Sequence, residues 1–75
     1  MNKDRRKRIE NCKVELENVK NELEAIKDEE QDAYDNLPES LQDSERGEAM
    51  QEYVDALEDV ISSLEDVIEE VGEIN

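Results

Sequence analysis

Two seven-residue rhythms lie on either side of a single proline. Apolar residues recur at Ile9, Cys12, Leu16, Val19, Leu23 and Ile26 in steps of three and four. The same steps return at Met50, Tyr53, Leu57, Val60, Leu64, Val67, Val71 and Ile74. This a/d spacing is the signature of helices packed side by side. Pro38 lies between the two runs, cannot donate a backbone hydrogen bond, and disfavours helix at Leu37 before it. The pattern therefore predicts an all-α protein, an antiparallel helical hairpin in one domain over residues 1–75. The first helix is expected at about 3–35, the connector at 36–44 and the second helix at about 45–73. A fold about residues 39–42 pairs positions whose numbers sum to about 80, so that Leu23 faces Leu57 and Leu16 faces Leu64.

A chain of 75 residues has room for a thin core only, because short chains bury a small share of their surface. The second helix carries more apolar surface than a two-helix seam needs. Besides its a/d residues it repeats Val54, Ile61 and Ile68 at e and Ala49 and Ala56 at g. A lone hairpin is expected to leave the e column wet, and two hairpins joined as a homodimeric four-helix bundle would cover it. Val54, Leu57, Ile61, Leu64 and Ile68 are the expected oligomer interface. Cys12, at d between Ile9 and Leu16, is expected to be a small buried hydrophobe.

The outer face of the first helix repeats Glu10 to Lys13, Glu17 to Lys20 and Glu24 to Lys27, each an i,i+3 pair of opposite charge. The lysines fall at e, where their methylene stems can cover the seam while the ammonium groups reach acids on the neighbouring helix. Glu30 falls at a, and two readings stand for it: a pair with Arg46, or an outward bend to water.

In the connector, Pro38 suits the first position of a new turn, so Pro38 to Gln42 is expected to form one short helical turn, with Leu37 and Leu41 plugging the open end of the hairpin. Ser44 or Asp43 can cap the second helix, and Glu45 and Glu48 put negative charge at its positive dipole end. Gly47, a poor helix former, implies close backbone contact at the turn.

Charge is unevenly placed. Residues 1–27 hold eight basic and six acidic side chains, whereas residues 28–75 hold one basic and eighteen acidic, which accounts for the net charge of −15. Such a surface repels nucleic acid and anionic membranes and attracts basic proteins. The cluster Lys3, Arg5, Arg6, Lys7, Arg8 is short and without aromatic neighbours. It is read as a solvated helix start, and direct nucleic-acid binding is not expected of it. A single cysteine excludes an intrachain disulfide. With no apolar run of signal-peptide or membrane-span length, the expectation is a cytoplasmic protein with no membrane partner.

The connector from Asp35 to Met50, D-N-L-P-E-S-L-Q-D-S-E-R-G-E-A-M, is followed by heptads of the form A-L-E-D-V-I-S-S-L-E-D-V-I. Over roughly residues 9–71 the chain resembles a group of small acidic helical proteins encoded by phages and other mobile elements of Gram-positive bacteria. The resemblance implies a genomic setting and supplies no enzymatic residue.

The inventory does not suggest an enzyme. Histidine, tryptophan and phenylalanine are absent and glycine occurs twice, so neither a phosphate-cradling loop nor a nucleophile and base pair is present. Carboxylates are plentiful but fall mainly on outward b, c and f positions, whereas four-helix metal sites point them inward. No catalytic residue, cofactor or metal is expected. Two roles remain open. One is a protein-protein interaction module, a homodimer whose acidic exterior meets a basic partner. The other is a nucleic-acid mimic that inhibits a DNA-binding or host-defence protein, using Glu52, Asp55, Glu58, Asp59, Glu65, Asp66 and Glu69. The second helix carries eleven acids over residues 45–73, about one per 4 Å at a rise of about 1.5 Å per residue, and duplex DNA carries one charge per roughly 1.7 Å.

Overall fold

A computed structural model describes residues 1–74. Three helices follow one another: α1 over Lys3–Asp35, α2 over Glu39–Gln42 and α3 over Glu45–Gly72. The two long helices pack along their length, α2 packs on α3, and the whole measures 59 × 15 × 11 Å. The hairpin and the single short turn after Pro38 are as the proline and the heptads predict.

Local chemistry sets each end. Asn2 caps α1 by accepting the Arg5 N–H at 2.8 Å. At the other end of α1, Gln42 folds back from α2 and donates through Nε2 to the carbonyls of Tyr34 and Leu37 at 3.3 and 3.2 Å. The Tyr34 carbonyl also accepts the Leu37 N–H at 3.0 Å, so Gln42 ties the last turn of α1 and the residue before Pro38 to α2. Ser44 is the N-cap of α3, its Oγ lying 3.5 Å from the Gly47 N–H, and it also donates to the Leu41 carbonyl. Gly47 is buried under the connector: a Cβ built on it would lie 2.6 Å from the Gln42 carbonyl carbon and 2.7 Å from the Leu41 oxygen. The close backbone approach implied by this glycine is thus real, and α2 can rest on α3 only because Gly47 has no side chain. Leu37 is half-buried, but Leu41 is exposed and does not plug the open end.

The long-range register follows the fold at the connector. Ile9 and Val71 border one hollow, Lys13 lies over Gly72, and Lys20 reaches Glu65. These give number sums of 80, 85 and 85, close to the expected 80. The lysine sums run higher because helical side chains lean toward their own N-terminus, which on α1 means toward higher numbers on α3.

The core of the hairpin is not the a/d stripe. Met50, Val54 and Ile61 are its buried apolar residues, at 9%, 4% and 7% exposure. Leu57, Leu64, Ile68 and Val71 on α3, and Ile9, Leu16, Leu23 and Tyr34 on α1, are half-buried beside them. In heptad terms the two helices meet through columns a and e. The e column expected to be wet is inside, and the d column is outside.

Candidate interaction surface

Successive side chains advance about 100° around a helix, so d lies roughly 80° from the centre of the a/e seam. Antiparallel neighbours are related by a local two-fold axis. Equivalent columns of α1 and α3 therefore fall on the same side of the hairpin. The d column of α1 holds Cys12, Val19 and Ile26, and that of α3 holds Tyr53, Val60, Val67 and Ile74; all seven are exposed. Val19 is 52% exposed, Val60 50% and Tyr53 62%. Together they make one apolar face along the long axis of the molecule, an arrangement that monomeric soluble proteins rarely leave in water.

None of the five residues expected at an oligomer interface belongs to this exposed d column. Val54 and Ile61 are buried in the hairpin of their own chain, and Leu57, Leu64 and Ile68 are half-buried along the same seam. The physical reason is the lysine column. Lys13, Lys20 and Lys27 occupy e on α1, and their stems leave room for the bulky e residues of α3 to enter the seam opposite them. Cys12, expected to be buried, is exposed for the complementary reason that it belongs to column d. A signal for this existed in the sequence: e is basic on α1 and apolar on α3, a complementary pair, whereas d is apolar on both.

On the opposite side of the seam Lys20 bridges the helices, 3.8 Å from Glu65 and 3.9 Å from Glu24 on its own helix, while Lys27 pairs with Asp28 at 3.9 Å. Among the described residues Glu30 and Arg46 form no ion pair. Lys13, Lys20, Glu65, Glu69 and Gly72 border an open groove of about 640 Å³. Charged side chains and Ile68 line it at the surface of the seam.

The structure also gives the basic cluster a neighbour. Each long helix has an end where charge opposes its dipole: α1 begins with Lys3, Arg5, Arg6, Lys7 and Arg8, and α3 closes with Glu69 and Glu70 and no base in its last turn. Antiparallel packing sets these two ends side by side, with Arg6, Glu10 and Lys13 bordering the same hollow as Val71 and Ile74. The charges at these ends offset the two dipoles through space, with no ion pair between them among the described residues.

The acidic residues singled out on the second helix, Glu52, Asp55, Glu58, Asp59, Glu65, Asp66 and Glu69, are all exposed. They occupy b, c and f, away from the apolar d face. Among the described residues no group of three or more Cys, Asp or Glu converges as metal ligands would, and no helix is long and apolar enough to cross a membrane.

Like charges recur at i,i+4 along α3, in Glu48 with Glu52, Asp55 with Asp59, Glu65 with Glu69 and Asp66 with Glu70. Each such pair opposes the helix by a few tenths of a kcal/mol, ~0.3. The three ion pairs of the described residues are long and partly exposed, so repulsion outweighs them. Raising salt from about 0.1 M to about 1 M shortens the screening length from about 10 Å to about 3 Å and should raise the melting temperature. A midpoint that falls with salt in thermal circular dichroism would mean that the lysine column and Arg46 form attractive networks of greater weight.

No protein family, no characterised protein and no solved structure matches the chain.

Proposed function

We propose that the chain is a non-enzymatic protein-protein interaction module, a small acidic hairpin that works as a homodimer in the cytoplasm and belongs to a phage or other mobile element. The observation that carries this reading is the face formed by column d of both helices. Its seven exposed residues match a four-helix-bundle core, in which a and d point inward, e flanks one helix contact and g the other. With the d face covered, the acidic b, c and f columns form the exterior and are free to meet a basic protein.

Sedimentation over a wide concentration range tests it. A reversible dimer is expected for the unmodified protein, and Val60→Glu, a charge placed on the d face, should give a monomer. An unmodified protein that stays monomeric throughout would overturn the homodimer.

The mimic reading is kept because all seven carboxylates, on columns b, c and f, are exposed along one helix. It requires that the protein compete with duplex DNA for a basic DNA-binding protein. Competition that disappears when Asp55, Asp59 and Asp66 are made asparagine would favour it, and a lack of competition would leave the interaction module.

A further inference from the structure

We infer that the d face is covered by a second copy of this chain laid with its connector at the same end as the first, so that α1 of each copy packs on α3 of the other. The inference rests on the interaction-module reading and adds to it the arrangement of the two copies.

A face 59 Å long and 15 Å wide bounds the contact at roughly 900 Å² per copy, against the ~800 Å² per partner of a standard stable interface, and its apolar centre spans about 21 Å at a rise of about 1.5 Å per residue. Its apolar content is continuous from Cys12 and Val67 to Ile26 and Tyr53.

Charge decides between the two ways in which two-fold symmetry can stack the faces. With the connectors at the same end, the g columns that edge the face meet α1 to α3. Arg8 then lies across from Glu70 of the second copy, Glu15 from its Ser63, and Glu22 from its Ala56. Each contact is attractive or pairs an acid with a small neutral residue. With the connectors at opposite ends, α1 meets α1 and α3 meets α3. Glu15 then faces Glu22 of the second copy, twice over, and this repulsion offsets the two Arg8 to Glu29 contacts that the same register makes. The two α3 helices are also brought together, each with ten acidic and one basic side chain, net −9. The first arrangement instead sets each α3 between α1 helices, whose eleven acidic and eight basic side chains leave only −3. Like charges across an interface suppress wrong pairings, so the same-end arrangement is the one this charge pattern selects. The small residues Ala49, Ala56 and Ser63 on the g column of α3 let α1 of the second copy approach closely.

Two measurements test it on the full chain. The first places a label on Ser40→Cys, in the exposed α2, within a Cys12→Ala background, and reads the distance between labels in the dimer. Neighbouring helices pack about 8–10 Å apart, so connectors at one end put the labels within roughly 25 Å. A dimer whose labels approach the 59 Å of the long axis overturns the arrangement and leaves the interaction module standing, whereas a monomer overturns both. The second is a charge exchange. Arg8→Glu and Glu70→Arg should each weaken dimerisation about two- to five-fold, the range of an exposed ion pair, and the two together should restore it. A double variant weaker than either single one would also overturn the same-end pairing.

Discussion

Gly47→Ala should lower stability by about 3 kcal/mol, as overpacking against unyielding neighbours does. For a chain of this size that is a fall of roughly 12–24 °C in melting temperature. The added Cβ meets backbone, the Gln42 carbonyl carbon at 2.6 Å and the Leu41 oxygen at 2.7 Å, and backbone cannot step aside as a side-chain tip can. Relief would require α2 to lift from α3, taking with it the Gln42 hydrogen bonds that close the end of α1. The other glycine is the control. A Cβ at Gly72 meets only Lys13, with Nζ at 3.3 Å, the mobile end of a long side chain. Alanine also favours helix over glycine, so Gly72→Ala should be neutral or stabilising by about 0.5 kcal/mol. Thermal and urea melts of the two variants side by side check the contrast. Equal effects would show that the connector does not rest on Gly47.

A charge at Ile61 and a charge at Val60 should behave as two different lesions although the residues are adjacent. Ile61 is 7% exposed and sits in the seam between α1 and α3. Ile61→Glu buries a carboxylate without a partner and should cost about 3–5 kcal/mol, enough to unfold the hairpin at any concentration. Val60 is 50% exposed, and Val60→Glu leaves the seam intact. Its expected effect is on mass action: the melting temperature of the unmodified protein should rise with protein concentration, as it does when only the folded state associates, and that of Val60→Glu should not. If Ile61→Glu gives a folded monomer and Val60→Glu behaves as the unmodified protein, the columns have been exchanged, and e, not d, is the docking surface.

The periodicity of apolar residues, the helix-breaking chemistry of Pro38 and the oxygen of Ser44 are local properties, and they are enough to define two long helices, one short turn between them and an antiparallel course. The close approach at Gly47 was legible too, since a glycine inside a good helix pattern needs a reason. The choice of column was legible only from the two helices compared, not from either alone. Within one helix a, d and e lie in a continuous apolar arc, and nothing in a single strand of heptads says which edge of the arc turns toward its neighbour. That choice depends on both helices at once. Lysines at e on α1 opposite Val54, Ile61 and Ile68 at e on α3 make the a/e seam a fit of long stems around bulky side chains. Column d is left outside, Cys12 with it. The role of Gln42 was hidden for the same reason: the carbonyls it caps belong to Tyr34 and Leu37, and only the fold of the connector brings them within reach. Local spacing decides what kind of element forms, because it acts through bonds a few residues apart. Which face is spent on the chain's own seam, and which remains for another surface, is decided by packing between residues far apart in sequence, such as Lys20 and Glu65 or Ile9 and Val71, where steric fit and charge act through space.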